Sequence, residues 1–145
     1  MSEALGARGV VRYNEQVTRF LLICAGGALG TGARYALGAW LMTVTKSSFP
    51  LGTLAVNVIG SFAIAVVTVA AARAGAMSDT TRLVLTAGVL GGFTTYSSFN
   101  QETLEYLRHG AWMPGAVNVI ATGVGCLVAG VLGLWAGSVW FSAPA

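Results

Sequence analysis

Gly91-Gly92-Phe93-Thr94-Thr95-Tyr96-Ser97-Ser98-Phe99, followed by Asn100-Gln101-Glu102, decides how this chain is read. The stretch lies inside an apolar run, about 83–107, long enough to cross a bilayer. Its middle is built from Gly, Thr and Ser, which loosen a helix, and its far end carries a carboxylate. In lipid every freed backbone N–H or C=O must find a partner inside the protein. An interruption is therefore tolerated only where protein or a wet cavity encloses it. The pattern predicts a transmembrane helix broken at its centre, with the function at the break.

Three further apolar stretches surround this one, about 20–43, 51–72 and 112–141, each near the roughly 20 residues a spanning helix needs. Of 145 residues, 55% are hydrophobic and 9% charged, where a soluble domain carries roughly a quarter charged. The expectation is an all-α membrane protein: a single domain over 20–145 with four transmembrane helices, the third broken. Residues 1–19 read as a cytoplasmic tail, partly disordered, because the next apolar run is too long for a cleavable signal. Outside the spans, Arg8, Arg12, Arg19, Arg73 and Arg82 fall on the side of the N-terminus, and Lys46 and Arg108 on the other. That places the N-terminus inside by the positive-inside rule, with a margin small enough for insertion both ways. The net charge of +3 is a membrane-surface signature, and no basic cluster interleaved with aromatics speaks for nucleic acid. Cys24 and Cys126 sit in apolar spans as inert filler, without a second ligand pair at metal spacing.

Polar residues in the spans fall into register. Gly26, Gly30, Arg34 and Gly38 repeat every four residues, one close-packing face carrying one guanidinium. A buried cation in a span costs at least about 2.5–3.5 kcal/mol, so Arg34 should hold a specific partner. In the second span Pro50 stands at the helix start, and Thr53, Asn57 and Ser61 form a polar stripe that reads as a pathway lining. Ser78 or Asp79 should cap the third span. Beyond its break, Ser98 and Glu102 share a face four residues apart, an unusual pair for a membrane. The fourth span repeats the stripe with Asn118, Thr122 and Cys126, among glycines that include a Gly133/Gly137 G-x-x-x-G frame. Trp112, Trp135 and Trp140 lie near its ends, where indoles favour the interface. Together these describe a narrow polar conduit.

Three segments carry a family resemblance: Gly26-Gly27-Ala28-Leu29-Gly30-Thr31-Gly32-Ala33-Arg34-Tyr35, the run from Pro50 to Phe62 through Asn57, and Gly91 to Glu102. In this order and on these spans the chain resembles the Fluc (CrcB) fluoride channels, over about residues 20–141. The resemblance implies an antiparallel, dual-topology dimer in the cell inner (plasma) membrane. It implies two ion pathways, a central structural sodium ion, and passive export of cytoplasmic fluoride that lowers its toxicity. It implies that Asn57 donates its amide to fluoride, and that Tyr96 and Phe99 stand where two phenylalanines turn their ring edges to the anion. Gly91 and Thr94 would offer main-chain carbonyls to sodium; Arg34 and Glu102 match charged positions; Thr122 and Cys126 fall on the polar track. Ser98 and Asn118 complete the expected pathway. The chain departs from the family at Tyr96, usually Phe, and at Cys126, usually a small hydroxyl residue. Some members work as paired paralogues of opposite orientation, so the partner is a second copy or such a paralogue.

The chemistry is coherent by itself. Fluoride holds water tightly, so a pathway must replace hydration with several short-range donors, which an Asn amide and hydroxyls supply. The positive edge of an aromatic ring gives a weaker hold that an anion can leave. A small multidrug-type proton-coupled antiporter shares four spans, yet it relies on an embedded acid in its first span, where this chain has Arg34. An inert scaffold would leave Asn57, Arg34 and the break unexplained. No nucleophile–base pair or metal set marks an enzyme.

Overall fold

A computed structural model describes residues 2–73 and 77–141, with side chains described from residue 13 onward. The described residues are helical, in the order α1 (Ser2–Thr45), α2 (Leu51–Ala72), α3 (Asp79–Leu83), a π-helical stretch (Val84–Leu90), α4 (Gly91–Phe93), α5 (Tyr96–Arg108) and α6 (Trp112–Trp140). Among the described residues three helices are long and apolar enough to cross a membrane, over Tyr13–Thr45, Leu51–Ala72 and Trp112–Trp140. The expected span at 83–107 is distributed over the π stretch, α4 and α5, none of which has that length alone. The α1 helix begins at Ser2, well before the first apolar span, and its backbone continues helically through the expected tail.

The connections explain the boundaries. After α1, Lys46 takes a positive φ of 48° and the chain turns to Pro50, the cap residue of α2. Ser78 caps α3 by accepting from the Thr81 N–H at 3.1 Å, and Asp79 in the first turn pairs with Arg82 at 3.7 Å. The end of α5 is closed by Gly110 at φ 70°: Ala111 N–H donates to Tyr106 O at 2.8 Å and Gly110 N–H to Leu107 O at 3.1 Å. That is a Schellman closure, which needs a left-handed residue at the glycine.

The inward-facing side chains are small: Val56, Ala65, Ala70, Ala129 and Ala136 are buried, while Leu29, Trp40, Leu127 and Trp135 are exposed. A water-soluble fold would invert this; helices in lipid associate through small residues that let backbones approach. The α2 and α6 helices make the most extensive contact, and at Gly133 a Cβ would collide with the Phe62 carbonyl. On the other side, α1 packs against the π stretch and α4. A Cβ at Gly30 would strike the Val89 carbonyl, and one at Gly92 the Gly27 backbone. The face carrying Gly26, Gly30 and Arg34 thus lies against the segment that precedes the break.

Candidate functional site

Between α4 and α5 the backbone leaves the helix for two residues, Thr94 (φ −82°, ψ 157°) and Thr95 (φ −152°, ψ 109°). An α-helical N–H returns to the carbonyl four residues earlier, so each lost bond must be replaced. The Thr95 N–H donates to Asn57 Oδ1 at 2.7 Å, and Asn57 Nδ2 donates to the Thr95 carbonyl at 3.0 Å. The side-chain amide thereby acts as a strand-like partner for one unwound residue, with Asn57 8% and Thr95 7% exposed. The Ser98 N–H turns to Thr95 Oγ1 at 3.2 Å, which makes Thr95 the cap of α5 and restarts the helix at once.

These exchanges release carbonyls upstream. Gly91 O loses its helical donor to Asn57, and Thr94 O loses its donor to the Thr95 cap. Thr94 O instead accepts from Arg34 Nη1 at 3.2 Å, and Gly92 O from Thr31 Oγ1 at 3.4 Å. Arg34 therefore has the specific intraprotein partner that its place in a span demands.

Two clefts flank the break. A groove of about 540 Å³ is lined by Asn57, Ser61, Gly91, Thr94, Tyr96, Phe99, Thr122 and Cys126, among others. A second cleft of about 700 Å³ takes in Arg34, Thr53, Thr95, Ser98 and Glu102. Asn57 faces the first and its partner Thr95 the second, so their paired amides stand in the partition between them. Ser98 and Glu102 also reach an outer cleft with Glu105, Tyr106 and His109.

The groove's chemistry is mixed. Tyr96 and Phe99 have ring centroids 5.5 Å apart, tilted by 55°, and Tyr96 is 77% exposed. Thr122 Oγ1 is buried in the same wall without a hydrogen-bond partner. In the second cleft Thr53 Oγ1 donates to Glu102 Oε1 at 2.5 Å, leaving Glu102 Oε2 buried without a partner. Unpaired buried oxygens are expensive, which sets these two apart from the other polar side chains of the clefts.

The residues singled out in the sequence are divided by this arrangement. Asn57, Tyr96, Phe99, Thr122, Gly91 and Thr94 meet at the groove; Arg34, Ser98 and Glu102 meet in the second cleft. Asn118 joins neither: it is 1% exposed and donates to Thr103 Oγ1 at 2.9 Å, while Thr103 donates to the Phe99 carbonyl at 2.8 Å. That chain ties α6 to the first turns of α5. The stripe on α2 serves both purposes, since Thr53 and Asn57 bond to neighbours and Ser61 lines the groove. Thr95 was not singled out by sequence reasoning, although a Thr three residues before Ser98 at a helix restart is a cap signal. Thr103 gave no comparable signal.

The carbonyls of Gly91 and Thr94 fit a cation unequally. Gly91 O is free of its helical donor and its residue is exposed; Thr94 O already receives a guanidinium, leaving one lone pair. Among the described residues no cluster of three or more His, Cys, Asp or Glu side chains could hold a metal, so a cation here would rest on main-chain oxygens.

The profile described as "CrcB-like protein, Camphor Resistance (CrcB)" matches residues 21–134. The chain is 51% identical over 113 residues to an Anaeromyxobacter sp. (strain K) protein named "Fluoride-specific ion channel FluC", covering 78% of this chain and 90% of that protein. A Sorangium cellulosum (strain So ce56) protein of the same name is 50% identical over 116 residues, covering 80% of this chain and 91% of its own. One from Geobacter sulfurreducens, again so named, is 46% identical over 121 residues, covering 83% and 94%. With half its positions shared along nearly the whole length of such relatives, and the matched region containing the break, both clefts and the helices that hold them, the chain belongs to the CrcB-like family.

Proposed function

We propose that this protein is a fluoride-selective passive channel, exporting cytoplasmic fluoride across the cell inner membrane as an antiparallel dimer. The region 83–107 is then one transmembrane span broken at Thr94 and Thr95, and the four spans of each protomer pair with four of an inverted partner. One observation carries the reading: a buried Asn57 amide holds the broken backbone at the wall of a groove that also bears Tyr96 and Phe99. The shared name of the relatives supplies the anion.

Within this reading the protein's own groups replace water around fluoride. Asn57 Nδ2 carries two N–H donors, of which Thr95 O takes one, leaving the other for an anion in the groove. The hydroxyl of Thr122 has no internal partner and is a second donor. The α5 helix starts between the two clefts, so its positive N-terminal end favours a passing negative charge. The rings of Tyr96 and Phe99 offer their edges, a hold weak enough for release. Arg34, Ser98 and Glu102 belong to the vestibule on the other side of the partition. The wide opening of the groove and the exposure of Tyr96 support a second copy, or an oppositely oriented paralogue, as the missing wall.

Gly91 O and the remaining lone pair of Thr94 O, with their symmetry equivalents, are the groups that would hold a structural sodium ion at the subunit contact. Bound there, the ion would add positive potential to both pathways. The Arg34 guanidinium on the same Thr94 oxygen opposes it, by about 4 kcal/mol for unit charges 4 Å apart at an effective dielectric of 20.

Purified protein in vesicles loaded with fluoride or chloride tests the reading. Fluoride should leave without a pH gradient and chloride should stay. Drug-coupled proton movement would replace the channel with an antiporter, and no flux of either anion would leave only a scaffold.

A further inference from the structure

The carbonyl bonded by Arg34 and the N–H bonded by Asn57 belong to the same peptide group, the one joining Thr94 to Thr95. In a trans peptide these two atoms point in opposite directions, and no cis peptide occurs among the described residues. One peptide plane is thus held from both sides, by α1 through Arg34 Nη1 at 3.2 Å and by α2 through Asn57 Oδ1 at 2.7 Å. The plane has no helical alternative: its usual donor, Ser98 N–H, is on the Thr95 hydroxyl, and the extended backbone at Thr94 turns the Thr95 N–H away from its usual acceptor, Gly91 O. Among the described residues no other group bonds the Thr94 oxygen.

We propose that Arg34 is a positioning residue: by donating to the Thr94 carbonyl it fixes the Thr94–Thr95 peptide plane, and through that plane the orientation of the Asn57 amide. Its task is to hold the break in the shape that aims Asn57 at the groove, although Arg34 itself lines the opposite cleft. Without the guanidinium the Thr94 oxygen is left unpaired in a membrane interior, where a free carbonyl must find another partner. The plane then rotates to find one, and Asn57 loses its acceptor contact with the Thr95 N–H. The role needs a donor that reaches the carbonyl, so Lys should serve partly and Met should not.

The proposal rests on the channel reading only for its flux arm, and the experiment separates the two. Full-length protein, Arg34→Lys and Arg34→Met are compared in lipid nanodiscs by amide hydrogen exchange at Thr95 and by the side-chain amide resonances of Asn57. Fluoride efflux from vesicles is measured in parallel. In Arg34→Met, Thr95 exchange should rise at least tenfold, the Asn57 resonances should shift, and efflux should fall at least tenfold. Arg34→Lys should recover much of all three. If Thr95 and Asn57 stay unchanged in Arg34→Met, whatever the flux does, the proposal is overturned and Arg34 acts without the peptide. A disturbed Thr95 with undiminished efflux overturns it equally. Should Arg34→Met fail to fold, Arg34→Gln decides: retained protection at Thr95 upholds a donor role, and loss of it assigns the effect to charge. Absence of fluoride efflux from the unaltered protein would refute the channel reading alone, since the resonance and exchange results stand without it.

Discussion

Replacing Asn57 by Ala removes both hydrogen bonds that satisfy Thr95, the 2.7 Å bond its N–H donates and the 3.0 Å bond its carbonyl accepts. The change bears on stability as well as on flux. Thr95 is 7% exposed, and the extended ψ of 157° at Thr94 denies its N–H the helical acceptor at Gly91. Each orphaned main-chain group costs about 1–3 kcal/mol, giving about 2–6 kcal/mol for the pair. Interhelical side-chain bonds in membranes average only about 0.6 kcal/mol, because the altered protein usually finds other partners. The extended, enclosed geometry at Thr95 restricts that escape, so a loss of about 2–4 kcal/mol is expected. Equilibrium unfolding in mixed micelles against added denaturing detergent measures it, and amide exchange at Thr95 locates it. Efflux should collapse in parallel. Asn57→Ala unfolding within about 0.5 kcal/mol of the unaltered protein, with Thr95 still protected, would refute the assignment of Asn57 as the clamp of the break.

Other outcomes follow from the same geometry. Gly110→Ala meets no neighbouring atom, so its only cost is a left-handed backbone at φ 70°, about 1–2 kcal/mol in the same unfolding assay with efflux unchanged once folded. Thr122→Val removes a hydroxyl that is buried without a partner and should leave stability equal or raise it by about 1–2 kcal/mol. If that oxygen serves the anion, efflux from Thr122→Val vesicles should nevertheless drop severalfold.

The apolar runs made two helices readable almost to the residue, 51–72 and 112–141 against Leu51–Ala72 and Trp112–Trp140. Burial pattern helped little, since lipid makes the outside as apolar as the inside. What identified the region 91–102 was its content of small and hydroxyl residues within an apolar context. The partners were harder. That Arg34 needed one was dictated by the cost of its charge, but a main-chain carbonyl leaves no mark in a sequence. Asn118 shows the opposite limit: its spacing from Thr122 and Cys126 put it on their stripe, yet over one helical turn the stripe passes from α5 to the groove. Periodicity assigns a face, and the neighbour across that face decides whether the residue bonds protein or lines a cleft.

The cleft residues also explain how the break between α4 and α5 is held. A two-residue interruption frees several main-chain groups, and here most are taken by side chains from two different helices: Asn57 from α2, Arg34 and Thr31 from α1. Satisfaction from two sides ties the break to its surroundings, so α1 and α2 cannot slide without unpairing it. The glycine contacts enforce the same registry, because Gly30 and Gly92 bring backbones too close to admit a shift of one residue. The oxygens left unpaired are then conspicuous: Thr122 Oγ1 in the groove and Glu102 Oε2 in the second cleft, on opposite sides of the Asn57–Thr95 partition. A segment evolved only to be packed would have satisfied or deleted them, as it has satisfied Asn118. They stand on either side of a peptide clamped by Asn57 and Arg34, a hydroxyl in one cleft and a carboxylate in the other, with the wall between them held from two helices.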